Sequence, residues 1–205
     1  MKRTFFQLTF NLNVTLLVLS SLCFFLKFGF SLLIQLLETS RLSTTYDVFS
    51  LIGEKLSLLA HYIQLGALCL VLIPIFLIGI ELMQRLTKDS LWNYAKSVYQ
   101  TFRMRQFLKQ DKQSEPIITI ENQTVTRFNP ILKNFNQTVS KCTTVDVRKD
   151  SVNLFIKIPR TQQAQKLLKE MEGHIKEEIA SRNPSYYFSS AHRVKQTLWF
   201  TGAKR

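Results

Sequence analysis

Apolar and polar positions divide the chain near residue 80. From Leu56 to Ile80 the sequence LSLLAHYIQLGALCLVLIPIFLIGI carries no Asp, Glu, Lys or Arg. A bilayer core about 30 Å thick needs roughly 20 apolar residues in a helix. Backbone groups in lipid must find their bonds within their own segment, so this stretch predicts a membrane-spanning helix. Pro74 lies inside it and predicts a kink near Leu70–Val71, because proline lacks the amide donor and crowds the preceding turn. An earlier run, Thr4–Leu26, is also uncharged; Lys27 interrupts it, and Phe28–Leu37 is apolar again. A Lys at mid-bilayer costs about 2.5–3.5 kcal/mol on insertion scales. The first span is therefore expected over Phe5–Leu26, with Lys27 at the outer interface. The second apolar piece then lies along the outer surface or prolongs a tilted helix.

After Ile80 the pattern changes. Leu82–Gln110 mixes apolar, aromatic and basic residues in a continuing helix that Asp89-Ser90 interrupts, with Ser90 as a candidate N-cap. Lys109–Glu115 reads as a polar linker. Ile117–Ile120 is a short candidate strand, and Pro130–Phe135 a short candidate helix. Thr143–Arg148 then alternates, Asp150-Ser151 turns, and Val152, Leu154, Ile156 and Ile158 share one face of a second strand, which together make a hairpin. Thr161 is placed to cap a helix over Gln162–Ser181, whose Ala164, Leu167, Leu168, Met171, Ile175 and Ile179 form one apolar stripe. Asn183-Pro184 ends it. Two strand-like pieces follow, Tyr186–Ser190 and Val194–Thr201. The fold class expected is a membrane α-helical hairpin plus a small cytoplasmic α+β domain, an antiparallel sheet with one main helix, ferredoxin-like or related. The domains expected are a two-span anchor at 1–80, a basic juxtamembrane helix and linker at 81–115, and the α+β domain at 116–205.

Charge gives the orientation. The chain has 205 residues and a formal net charge of +13. Lys2 and Arg3 precede the first run, and Arg85, Lys88, Lys96, Arg103, Arg105 and Lys109 follow the second. The charges of Glu38–Lys55 nearly cancel. Lys and Arg accumulate on the cytoplasmic side, so both termini are expected in the cytoplasm of a two-span protein of the cell membrane. The six basic residues from Arg85 to Lys109 are the candidate inner-leaflet contacts, with membrane lipid as the partner. A signal peptide would also begin basic and then apolar, but the apolar region is long for one and no small-x-small cleavage site follows it.

Candidate chemistry is sparse. Cys23, Cys69 and Cys142 have no spacing that suggests zinc, a redox pair or a disulfide framework. The sequence contains no P-loop, HExxH, CxxC or GxSxG. The acidic pairs Glu170/Glu172 and Glu177/Glu178 stand beside Lys169 and Lys176 and read as a solvated, salt-bridged face. No enzyme, cofactor or metal is expected. A second candidate surface is Tyr186, Phe188, Arg193, Lys195 and Trp199, aromatics and cations of the kind that bind nucleic acid or a partner on an open sheet. No RNP1-type pattern accompanies them.

The layout carries a resemblance. The basic helix WNYAKSVYQTFRMRQFL follows a two-span hairpin, and TVDVRKDSVNLFIKIP, a helix and a strand pair ending in TLWFTG come after it. This resembles the N-terminal region of FtsK/SpoIIIE-like coupling ATPases from conjugative elements of Gram-positive bacteria, in layout and spacing; the ATPase domain of those proteins has no counterpart in this sequence. The resemblance implies a stand-alone relative of the membrane and linker region that seats, or competes with, a transfer ATPase. The function expected is a non-enzymatic membrane accessory protein of a mobile-element DNA-transfer apparatus, acting through protein–protein contacts. The alternatives are a membrane-tethered nucleic-acid-binding module and an immunity or stress-type membrane protein.

Overall fold

A computed structural model describes residues 2–39, 47–110, 117–118, 124–125 and 130–205. The chain divides into two compact units, Thr9–Glu81, and Met1–Leu8 together with Leu82–Arg205.

The first unit is made of two long helices, α1 over Phe5–Thr39 and α2 over Asp47–Lys88. Their apolar stretches, Phe5–Leu37 and Leu51–Thr87, are long and apolar enough to cross a membrane. At 1.5 Å per residue, 33 and 37 residues extend about 50 and 55 Å, well beyond a hydrocarbon core of about 30 Å. Helix α1 runs through Lys27 without a break, so Phe28–Leu37 prolongs the first helix. Helix α2 is likewise continuous across Pro74. Large apolar side chains such as Phe25, Leu72 and Phe76 point outward, as side chains facing lipid do. The buried positions are few and patterned: Phe10, Asn13 and Ser20 on α1, and Ala60, Ala67, Pro74 and Glu81 on α2. The α2 set recurs every seventh residue, and its two alanines let a neighbouring backbone approach closely.

The second unit is built on a mixed-length antiparallel sheet. Strands β3 (Thr144–Val147) and β4 (Ser151–Lys157) form the expected hairpin, with Val145 opposite Leu154. Strand β7 (Thr197–Lys204) pairs along the whole of β4, Leu154 opposite Phe200. The far edge of β7 is shared by β5 (Tyr186–Phe188) at one end and β6 (His192–Val194) at the other. The strand order is β3-β4-β7-β5, with β6 also on β7. A separate two-stranded ladder joins β1 (Ile117–Ile118) to β2 (Thr124–Val125); the rest of the candidate strand Ile117–Ile120 lies outside the described residues.

One face of the sheet carries the core. Val152, Leu154, Ile156 and Ile158 meet Leu198, Phe200 and Phe188. Gly202 has no Cβ because the Phe188 ring occupies that space, 2.8 Å from where one would sit. Onto this face pack helices α3 (Leu91–Phe107), α4 (Pro130–Phe135, continued as a π-turn over Asn136–Ser140), α5 (Gln162–Glu170) and α6 (Glu172–Arg182). Residues 81–115, expected as a separate juxtamembrane segment, are not separate where described: Met104 and Leu108 are fully buried in the same core as Ile175 and Ile179.

Two expected elements are divided. The helix over Gln162–Ser181 breaks at Met171, whose ψ of −9° opens the turn just before Gly173, a residue that weakens a helix interior. Thr161 stands at the N-cap of α5 in extended conformation but makes no side-chain capping bond. The strand expected over Val194–Thr201 is split near its start: Val194 ends β6, Lys195 and Gln196 make a tight turn with Lys195 at φ 54°, and Thr197–Thr201 begins β7. Left-handed backbone at a lysine carries no sequence mark, since such positions ordinarily announce themselves as Gly or Asn.

Candidate functional site

Helix α3 starts from a cap the sequence specifies: Ser90 is extended, and its hydroxyl accepts from the Trp92 amide at 3.3 Å. The helix then runs beside β3, the sheet's outermost strand. An edge strand exposes a row of unpaired backbone groups, and here α3 satisfies them with side chains. Ser97 Oγ accepts from Val147 N at 2.9 Å, Thr101 Oγ1 accepts from Val145 N at 3.0 Å, and Arg105 Nε donates to Thr143 O at 2.8 Å. The three residues are four apart on the helix, a rise of about 6 Å, while their partners are two apart on the strand, about 6.8 Å. The two periods match closely enough for three consecutive contacts. Between them, Gln100 and the buried Asn183 exchange a reciprocal amide pair at 2.9 and 3.0 Å, tying α3 to the end of α6.

The end of α2 is fastened to the same edge by Arg85, which is only 1% exposed. Its guanidinium meets Asp146 Oδ1 at 2.5 Å and Val147 O at 3.1 Å, with Asp89 at 3.6 Å. Asp146 is fully buried and also receives Arg148 Nε at 3.0 Å. The Arg85 guanidinium lies 5.5 Å from the ring centres of both Phe6 and Tyr94, and those rings meet edge to face. The start of α1 therefore enters the domain through Phe6. Nearby, Gln7 Nε2 donates to Asn153 O at 3.1 Å, and Arg3 sits 4.0 Å above the Phe155 ring. Phe155 and Trp199 project from the sheet face opposite the core, edge to face with each other, yet they are 2% and 4% exposed.

No known protein family, curated protein or solved structure that was compared with the chain matches it.

The six basic residues expected at the inner leaflet fall into different settings. Arg85 is spent inside the domain, against two carboxylates and two rings, and so does not face lipid; its place there follows from Asp146, a buried charge that needs a partner. Arg105 is half-buried and spent on Thr143; burial lowers its guanidinium pKa to about 10, against an opposing pull from Cys142, and it stays charged at neutral pH. Lys88 closes α2, and its side chain is outside the described residues. Lys96 is half-buried, while Arg103 and Lys109 are exposed, Arg103 over the Tyr99 ring at 5.9 Å.

The second candidate surface does not assemble. Phe188 lies in the core and Trp199 on the opposite face, both buried. Tyr186 is half-buried and donates its hydroxyl to Arg148 O at 2.9 Å. Burial first, and then Asp89 and Asp150, raise its pKa. Arg193 and Lys195 are exposed at the β6–β7 turn, away from any open aromatic platform made by the other three.

What remains open is the outer side of α3. Trp92, Tyr99 and Phe102 are 77%, 58% and 49% exposed, with Lys96 between Trp92 and Tyr99 and Arg103 directly after Phe102. Beside them a groove of about 540 Å³ is lined by Trp92, Ala95, Lys96, Tyr99, Gln100 and Arg182. Among the described residues no three His, Cys, Asp or Glu side chains are grouped to hold a metal ion.

Proposed function

We propose that this chain is a non-enzymatic membrane accessory protein whose small domain is presented to a protein complex at the cytoplasmic face. The observation that carries this reading is that the two flanks of the apolar helices, Met1–Leu8 and Leu82 onward, belong to one compact unit. One unit sits on one side of a membrane, so the two helices form a hairpin with both flanks on the same side. The basic residues around those flanks favour the cytoplasmic side. A domain tied to both ends of its anchor, with a buried polar network in place of a free acid–base pair, is suited to holding a position. The DNA-transfer setting, with a transfer ATPase as the partner, is supported by the layout of hairpin, basic aromatic helix and α+β domain.

The ferredoxin-like expectation belongs to the same proposal. With β1, β2 and α4 set aside as insertions between α3 and β3, the order α3-β3-β4-α5/α6-β5/β6-β7 is a β-α-β-β-α-β order begun one element later, which makes the domain a candidate circular permutant of that fold.

The test is mild solubilisation of the full-length chain from its native membrane, with crosslinking from Ser189→Cys in a Cys142→Ser background. The reading expects a large complex and a crosslink to an ATPase or another membrane protein. Recovery only as an unpartnered monomer, with no crosslink, contradicts it.

A further inference from the structure

We infer that the outer face of α3 is a second, monotopic membrane contact that seats in the anionic leaflet beside the protein's own spans. The inference rests on the reading of α1 and α2 as membrane helices. Four observations carry it. Helix α3 begins three residues after α2 ends, so in sequence it follows directly on the apolar stretch Leu51–Thr87. Its sequence, LWNYAKSVYQTFRMRQF, contains no Asp or Glu. Its inner side is fully used, by Ser97, Thr101 and Met104 against the edge strand and core, so the helix cannot rotate to hide its aromatics. Its outer side spaces Trp92, Lys96, Tyr99 and Arg103 at intervals of four, three and four, alternating rings with cations along one stripe.

That stripe fits lipid by its chemistry. Indole and phenol rings settle at the headgroup level, apolar body inward and polar tip in water. Lys and Arg long enough to reach phosphates flank them. Met83 and Leu86 at the end of α2, and Leu91 and Trp92 at the start of α3, are all exposed. Arg85, which an inner-leaflet role would have claimed, is withdrawn into the domain, while the cations left on the surface are the ones interleaved with rings. An acidic protein partner would match the charges but has no reason to find the rings at the foot of a membrane helix.

The experiment reconstitutes the full chain in vesicles of mixed phosphatidylcholine and phosphatidylglycerol. The chain has two tryptophans, so Trp199→Phe reports on Trp92 and Trp92→Phe reports on Trp199. Lipids brominated high on the acyl chain are the quencher. The expected result is loss of about half or more of Trp92 emission, little loss from Trp199, and relief of the quenching by Lys96→Glu with Arg103→Glu. Should Trp199→Phe fail to fold, the wild-type signal minus that of Trp92→Phe gives the same comparison. A chain that floats with the vesicles while Trp92 is quenched no more than Trp199 overturns the inference and leaves the membrane hairpin standing; blue-shifted but unquenched Trp92 emission also overturns it, in favour of a protein cover. A chain that does not float with vesicles overturns both.

Discussion

Arg85 and Asp146 carry the sharpest consequences for single residues. Both are buried, and they are linked through a short contact. Removing one partner of a buried pair leaves the other charged and unsolvated, which costs about 3–5 kcal/mol. Because Asp146 keeps Arg148 as a second partner at 3.0 Å, Arg85→Met is expected to destabilise the domain by up to about that amount, read as a lowered unfolding midpoint in detergent, and Asp146→Asn added to it should restore part of the loss. Tyr186 gives a pH dependence. Its pKa is raised from the ordinary value of 10.0, so the fold holds its proton more tightly than the unfolded chain does. That contribution is complete below pH 10 and is lost as pH rises through the raised value. Tyr186→Phe should cost about 0.5–1.5 kcal/mol at neutral pH by losing the bond to Arg148 O, and should flatten the alkaline loss of stability followed by denaturant titration. Arg85 and Tyr186 stood out in the sequence as candidate surface contacts, but the buried bonds they make were not legible, and Asp146 did not stand out at all. Asp146 sits in a TVDV strand as any outward polar residue would, and its partner is 61 residues earlier, on what reads as membrane-flanking sequence.

At the scale of elements, the strands and helices whose signal is local periodicity were readable. The β3–β4 hairpin, the short Pro130–Phe135 helix and the Ser90 cap all lie where the pattern places them. The role of α3 was not. Its Ser97, Thr101 and Arg105 are four apart, which looks like a polar stripe facing water. Only the presence of an uncovered strand edge at a matching period turns that stripe inward. Thr101→Val tests this, since valine keeps the shape and loses the hydroxyl. The change should strand the Val145 amide and cost about 1–3 kcal/mol, with faster hydrogen exchange at the Val145 amide and not at Val147, which is held by Ser97. The aromatic surface expected at the C-terminal strands failed for a related reason. Alternation says that Phe188 and Trp199 face opposite ways or are buried only once the pairing with β7 is known, and that pairing skips over the β6 turn at Lys195.

For the whole molecule, two apolar helices and a following α+β domain were legible in hydropathy alone. What hydropathy hid is that the first eight residues belong to the domain. Phe6 and Gln7 read as the start of a span and Arg3 as the charge flanking it, whereas the three cover the Arg85 cation, Asn153 and Phe155. The central claim is that one domain, built from both flanks of a hairpin, lies on a single side of the membrane. Impermeant thiol labelling of intact and then permeabilised cells measures this most directly, on the full chain with Cys142→Ser and, one at a time, Lys2→Cys, Ser43→Cys and Ser189→Cys. The account predicts labelling of position 43 in intact cells, and of positions 2 and 189 only after permeabilisation. Labelling of positions 2 and 189 from opposite sides would contradict it, because a single compact unit cannot straddle the bilayer.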